Sequence, residues 1–183
     1  IRANFCSQKI IDGQSIEKII KRLKLLGCIF AKEPFESDGG WYHLEFILSY
    51  NNINWDMKII KWRLENCSQV YYSLDIDDNF FLPPGIICYT PKDDPKFIHY
   101  INIINEFIQE IDPVIGIIDY EADLSIWDLE KEQFISWGLF LSRKLHKKID
   151  NSQIEFLFSL SKEIIKTQSK GFLLFNHPLG IRD

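Results

Sequence analysis

The stretch from Asp94 to Tyr120 combines a long helix pattern with an apolar strand pattern directly after it. Between Pro95 and Ile111, apolar residues recur at steps of three and four, which places them on one face of a helix. The residues of this face are Phe97, Ile98, Ile101, Ile104, Ile108 and Ile111. Polar residues such as Asn105 and Glu110 fall largely outside the face. The pattern predicts a helix that packs on a sheet.

Further apolar residues widen this stripe, so we expect the helix to be covered on more than one side. They are Tyr100, Ile103 and Phe107. Asp94 followed by Pro95 is typical of a helix start, and Pro113 prevents the helix from continuing. The uninterrupted apolar run from Val114 to Ile118 then predicts a strand that is buried on both faces.

The first half of the chain predicts a second helix followed by antiparallel strands. Residues 2–11 predict a short strand or an irregular arm, and residues 15–27 have helical periodicity, with Ser15 as the expected cap and Gly27 as the end. Apolar and polar residues then alternate, which is the pattern of half-buried antiparallel strands. The predicted strands are 28–35, 41–49, 55–65, 70–76 and 86–89. Segment 55–65 also permits a helix, but with a poorer single apolar face, so the strand is favoured, and the slip in its alternation predicts a β-bulge between Ile59 and Ile60.

The last third predicts further strands and one short helix. Residues 134–145 indicate a strand that ends in a basic segment, and residues 153–160 a short helix capped by Ser152, although their spacing also permits a strand. Residues 163–167 and 171–175 predict a hairpin. The chain is therefore expected to be a single α+β domain, residues 1–183, with a mostly antiparallel sheet and two main amphipathic helices at about 15–27 and 95–111.

Composition narrows the functional classes. The net charge of −5 disfavours direct binding of nucleic acid and favours a basic partner. No apolar run reaches the roughly 20 residues that cross a bilayer, so no membrane association is expected.

The N-terminus shows neither an initiator Met nor a signal-peptide pattern, which suggests a trimmed chain. The cysteines, Cys6, Cys28, Cys67 and Cys88, lack metal-site spacing and predict buried free thiols in a reducing, cytoplasmic compartment.

Two acidic clusters are the candidate functional sites. The first follows the strand at 70–76 and comprises Asp75, Asp77 and Asp78. The second follows the strand at 114–118 and comprises Asp119, Glu121 and Asp123, with Trp127 and Asp128 beyond it. Carboxylates at alternate positions lie on one side of a strand, where they can bind a cation, act as an acid/base pair, face a partner or remain solvated.

Motifs of known enzyme classes are missing from the sequence, which contains no G-x-G-x-x-G, G-x-x-x-x-G-K-[ST], G-x-S-x-G or H-E-x-x-H. No cofactor is predicted. One alternative is a small metal-dependent hydrolase or nuclease with Asp75, Asp119 and Glu121 as ligands. Another is a structural or regulatory domain of a longer protein.

Three short motifs in the C-terminal half resemble a known family. They are D-P-V-I-G at Asp112–Gly116, S-W-G-L-F-L-S at Ser136–Ser142 and S-K-G-F-L-L at Ser169–Leu174, followed by Pro178. This succession resembles the immunity protein 52 family of bacterial polymorphic toxin systems, although Trp137 precedes Gly138 here and Phe140 stands at the family's Tyr position. The resemblance implies an α+β protein that binds and blocks one cognate toxin inside the producing bacterium and has no catalysis of its own.

The main functional hypothesis is therefore an antitoxin-like binding protein with a basic toxin as its partner. Acidic residues would face the toxin, and aromatic residues would anchor it. The candidate partner-binding residues are Asp75, Asp77, Asp78, Phe80, Phe81, Asp119, Glu121, Asp123, Trp127 and Asp128.

Overall fold

The computed structural model of the chain describes residues 2–63, 67–77, 80, 95–119, 138–161, 163–169 and 171–175, with the backbone alone at residue 119. The strands are β1 Arg2–Ser7, β2 Cys28–Glu36, β3 Tyr42–Tyr50, β4 Ile53–Trp62, β5 Val70–Ile76, β6 Pro113–Asp119, β7 Gly138–Leu141, β8 Glu163–Lys166 and β9 Phe172–Phe175. The helices are α1 Gly13–Leu25, α2 Pro95–Ile111, α3 Arg143–His146 and α4 Asn151–Leu160.

Within the described residues, all nine strands form one antiparallel sheet in the order β2-β3-β4-β5-β1-β6-β7-β9-β8. Strands β2 to β5 form the predicted meander, with Asn51 and Asn52 at positive φ in the turn between β3 and β4. The predicted α+β class with a mostly antiparallel sheet is confirmed. The predicted strand at 86–89 lies outside the described residues.

Strand β1 lies in the middle of the sheet and joins its two halves. It pairs with β5 on one side and with β6 on the other, so that Phe5 lies opposite both Tyr72 and Gly116. The sequence predicts only a short strand or an irregular arm here, because six residues give little periodicity. The structure shows a fully paired central strand.

Helices α1 and α2 cover one face of the sheet, which we call the helix face. Helix α2 has the predicted bounds, and Tyr100, Ile103 and Phe107 are fully buried, so the prediction of a widely covered helix is confirmed. Phe107 packs edge-on against Phe5 and Tyr72 of the sheet. The placement of Ile98 in the buried stripe was wrong: its side chain is 55% exposed, because it lies on the rim beside Asn102.

Polar contacts fix the two helices to each other. The Arg22 guanidinium on α1 contacts the carboxylates of Glu106 and Glu110 on α2 at 3.3 and 3.2 Å, and it donates to the Gln109 side chain at 2.7 Å. Glu110, which the periodicity placed outside the buried stripe, is 7% exposed, and this is tolerable because its charge is paired. Asn105, also placed outside, is buried as well.

Several local predictions were wrong. The pairing of β4 runs without a register shift through Ile59 and Ile60, so there is no bulge; both residues are buried because both faces of the sheet are covered at this point. The predicted strand at 28–35 is confirmed as β2, and its Pro34 is tolerated because β2 is an edge strand. The basic segment after β7 forms the short helix α3 instead of extending the strand.

The helix caps also differ from expectation. Asp12 caps α1, and its carboxylate accepts a hydrogen bond from the Ser15 backbone N–H at 2.8 Å. Asp150 caps α4 in the same way through the Ser152 N–H. The Ser15 N–H lowers the pKa of Asp12, and the Ser152 hydroxyl, which also donates to Asp150, lowers the pKa of Asp150 together with the Ser152 N–H. The two serines predicted as caps therefore lie inside the first turns.

On the opposite face of the sheet, which we call the second face, α4 packs at the C-terminal end. A small apolar cluster lies there, made of Leu139, Leu141 and Leu174 of the sheet with Leu145, Ile149, Leu157, Phe158 and Phe172 around them. The hairpin of β8 and β9 is confirmed.

Cys6, Cys28 and Cys67 are free thiols, and burial raises the pKa of Cys28 to about 12. Cys67 is only partly buried, and Cys88 lies outside the described residues.

Gly116 lets two phenylalanines meet across the centre of the sheet. It lies between Phe5 on β1 and Phe140 on β7, whose rings pack edge-on at 6.1 Å. A Cβ atom at Gly116 would overlap the Phe5 ring and lie 3.0 Å from the backbone oxygen of Asn4. Glycine is required here because of close packing.

We expect Gly116→Ala to lower the free energy of unfolding by about 1–3 kcal/mol, because the added methyl group displaces the Phe5 ring in a packed core. Chemical denaturation measures the change. Gly13→Ala is the control, since nothing lies within 4 Å of its added Cβ in the first turn of α1, and it should be neutral or stabilising by up to ~1 kcal/mol. Equal stability of the Gly116→Ala variant and the wild type would contradict the packing argument.

His99 on α2 is a partly buried titratable group, and its ring packs against Tyr50 at 5.1 Å. Burial lowers the pKa of His99 from its ordinary value of 6.5, while a hydrogen bond with the Leu26 backbone acts in the opposite direction. The folded state therefore favours neutral imidazole, whereas the unfolded chain takes up a proton near pH 6.5.

Because the unfolded state binds more protons, we expect the free energy of unfolding to fall as the pH drops below 6.5. The stabilisation is present above pH 6.5 and is lost toward the lower pKa of the folded state. In His99→Phe, which keeps a ring against Tyr50, this fall should be shallower. Denaturation midpoints at a series of pH values measure both slopes, and equal slopes would refute the assignment to His99.

Candidate functional site

The two predicted acidic clusters begin at the same end of the sheet. Arg2 on β1 is the register partner of Asp75 on β5 and also of Asp119 on β6. The two aspartates therefore flank one arginine, although they are far apart in sequence. The first residues of the two acidic clusters therefore occupy neighbouring positions on the second face, one on each side of Arg2.

The Asp75 carboxylate is fully engaged. Arg2 donates from Nε to Oδ1 and from Nη2 to Oδ2, both at 3.0 Å, and Lys58 Nζ lies 3.8 Å from Oδ2. The Ser73 hydroxyl also donates to Oδ1. A bidentate arginine pair of this kind is directional and charge-assisted. Through these contacts Asp75 connects strand β5 to strand β1.

Two other candidates also lie within the described residues. The backbone of Asp77 donates to the Asp56 carbonyl at 2.9 Å and accepts from the Phe80 N–H at 3.0 Å, which fixes the chain after β5. Phe80 is fully buried, with its ring edge-on to Tyr50 and Trp55. In this structure Phe80 is a core residue, and its ring is not available to a partner.

The remaining candidates stay predictions. Asp78, Phe81, Glu121, Asp123, Trp127 and Asp128 lie outside the described residues, as does the side chain of Asp119.

The described residues contain no group of three or more His, Cys, Asp or Glu side chains that could hold a metal ion. Of the three ligands in the metal-enzyme alternative, only Asp75 has a described side chain, and its two oxygens already accept from Arg2. A metal bound there would have to displace a guanidinium. The geometry of Asp75 therefore favours the structural role.

An aromatic row crosses the second face of the meander, on strands β2 to β5. It consists of Phe35, Trp41, His43, Trp62 and Tyr71. Phe35 and His43 are register partners and stack at 4.8 Å, with their ring planes 6° apart. Trp62 lies between Trp41 at 5.8 Å and Tyr71 at 5.7 Å, and it stacks on Tyr71. Lys32 Nζ lies 4.2 Å from the centre of the Phe35 ring.

The aromatic row remains accessible. Trp41 is 47% exposed, and the other four rings are partly exposed. Phe35, His43, Trp62 and Tyr71 all belong to paired β-strands and stack in two pairs, so these four side chains have little freedom left to lose on binding. The row is a pre-ordered patch of the residue types that dominate protein interfaces.

Sequence reasoning missed the aromatic row because its members come from separate strands. The one available signal is the alternation of side chains along the strand. Trp41, directly before β3, and His43 on β3 are two positions apart and share a face, which is opposite the face of the buried Leu44 and Phe46. Assigning Trp62 and Tyr71 to the same face needs the register of β4 with β5.

The described part of the chain contains no helix long and apolar enough to cross a membrane. A scan against models of known protein families found no match, and a search of curated proteins found none either. The resemblance to immunity proteins is therefore carried by the quoted motifs alone. In the structure these motifs contribute to β6, β7 and β9, which are consecutive neighbours in the sheet.

The Arg2–Asp75 pair leads to a prediction about stability. We expect Asp75→Asn to lower the free energy of unfolding by about 1–3 kcal/mol, because it removes a charge-assisted pair at a carboxylate that is only 12% exposed. Asp56→Asn on the exposed side of β4 is the matched control and should change stability little.

A double-mutant cycle with Arg2→Gln, followed by urea denaturation, isolates the coupling between the two side chains. Strictly additive effects would show that the pair does not stabilise the sheet.

Proposed function

We propose that this protein is an immunity-type inhibitor, which binds a basic bacterial toxin in the cytoplasm of the producing cell and carries out no catalysis. The observation that carries the proposal is the aromatic row, because it is a rigid, partly exposed set of Trp, Tyr and Phe rings on the sheet face opposite α1 and α2.

The physical basis is the energetics of interface anchors. A few aromatic residues contribute most of the binding free energy in typical interfaces, above all where they are already ordered before the partner arrives. Trp41 is the most exposed residue of the row, and the ring of Trp62 packs against its ring. Trp41 is thus the expected anchor, and Lys32, Lys58 and Glu45 provide charged groups around the row.

Electrostatics supports a basic partner. The chain carries a net charge of −5, so its field accelerates association with a basic protein and disfavours acidic competitors. The two acidic clusters start on either side of Arg2, which neutralises Asp75. The carboxylates beyond this point in the second cluster, Glu121 and Asp123, are the ones we assign to the toxin.

The resemblance gives independent support. Its three motifs correspond to the start of one strand and to two later strands, and the chain has a strand at each of these places. The glycine of the first motif, Gly116, is the residue that packs between Phe5 and Phe140. The glycine of this motif is therefore needed for close packing in this chain.

The test is co-expression with the product of the gene directly upstream, which is the expected toxin. We expect the wild-type chain to restore growth and to form a complex, and Trp41→Ala to weaken that complex about tenfold or more. Charge reversal at Glu121 and Asp123, by Lys substitution, should slow association and increase its salt dependence. Growth curves and calorimetric titration of the purified pair measure these effects.

Phe156→Ala is the matched control, since it removes another exposed aromatic side chain, 44% exposed on α4, from a different part of the surface. Thermal denaturation of each variant excludes loss of the fold as the cause. Binding that is unchanged in Trp41→Ala rules out the aromatic row as the interface. A chain that neither binds nor protects against the upstream product rules out the proposed function itself.

A further inference from the structure

A basic cavity lies beside α3 in the C-terminal half of the sheet, whereas the aromatic row lies on the meander. Its volume is about 340 Å³, within the range of small-ligand sites. The lining comes from the start of β6, the end of β7, helix α3 and the turn between β8 and β9. The side chains used below are Phe140, Ser142, Arg143, Lys144, Lys147 and Asp112.

Positive charge in the cavity exceeds negative charge. Three cations line it, against the single lining carboxylate of Asp112, in a protein whose net charge is −5. Lys144 Nζ is paired with Asp112 at 3.2 Å. Arg143 and Lys147 have no ion pair or side-chain hydrogen bond within the part of the chain that the structure describes. Two cationic groups are therefore left to bind an anion.

A buried hydroxyl adds a donor. Ser142 is 8% exposed and lines the cavity, and its Oγ accepts a hydrogen bond from the Leu145 N–H at 3.1 Å. Its O–H proton has no acceptor among the described residues, so it can donate to a ligand oxygen. Pro113 and Phe140 also line the cavity, but both are buried, and Phe140 is only 1% exposed because it packs in the core.

We propose that this cavity binds a small organic phosphate, with the phosphoryl group on Arg143, Lys147 and the Ser142 hydroxyl and the organic part in the remaining volume of the cavity beside Pro113. An arginine fork and an ammonium match the several oxygens and the double charge of a phosphate monoester better than those of a carboxylate. The volume also exceeds what inorganic phosphate alone would fill. This inference does not depend on the proposed function.

The probe is phenyl phosphate, titrated into the full isotope-labelled chain up to about 10 mM while amide chemical shifts are recorded. We expect saturable shifts confined to residues 112–113, 140–147 and 169. Inorganic phosphate should bind more weakly, because it lacks the apolar part, and benzoate should bind more weakly, because it carries one charge. The double variant Arg143→Gln/Lys147→Gln should lose about tenfold or more of the affinity.

Lys148→Gln is the matched control, because it removes one exposed positive charge next to α3 from a side chain that does not line the cavity. Its affinity should stay close to that of the wild type. The proposal is overturned if no probe gives saturable shifts, or if Lys148→Gln weakens binding as much as the double variant does. It is equally overturned if benzoate or inorganic phosphate binds as tightly as phenyl phosphate.

Discussion

The pairing of β1 with strands on both of its sides is the interaction on which the rest of the structure depends. Without β1, the meander β2–β5 and the C-terminal strands β6–β9 would be two separate sheets. On the helix face, Phe5 joins both halves to α2 through Phe107 and Phe140. On the second face, Arg2 fixes the register with β5 through Asp75. A six-residue strand thus connects the two halves of the sheet to each other and to helix α2.

This central strand also separates two kinds of surface on the second face. Near the C-terminal strands, α4 covers an apolar cluster around Leu141 and Leu174. On the meander, aromatic rings remain partly exposed. The helix face is apolar along both halves, so the differences that matter for binding all lie on the second face and at its ends.

The sequence predicted the long periodic elements well and the short ones poorly. Helix α2 was predicted with its bounds because its 17 residues repeat a helical pattern several times and a proline follows. Strand β1 was ambiguous because its pattern is too short, and the bulge at Ile59–Ile60 was a misreading because burial on both faces removes the alternation. Residues 143–146 form helix α3 because the Ser142 side chain caps it, and the basic composition of this segment gave no sign of that local contact.

The candidate site, like the fold, was only partly predictable from the sequence. Linear clusters such as Asp75–Asp78 are visible in a sequence, but pairing decides what each carboxylate does, and Asp75 proved to be the partner of Arg2. The aromatic row is invisible in the sequence because its rings are assembled by three strand registers. Sequence patterns therefore identified the scaffold, whereas the surface needed the register.

The central position of β1 also sets an order of events during synthesis. It precedes both of its neighbours in the chain, since β5 begins at Val70 and β6 at Pro113. Strand β1 therefore waits for its second neighbour until residues more than a hundred positions later have been made, and Ala3 and Phe5 are not fully buried before then. Sheets closed by such distant pairings fold slowly and expose unpaired strand edges on the way. The sheet is thus completed only when β6 pairs with a strand that was made before either of its neighbours.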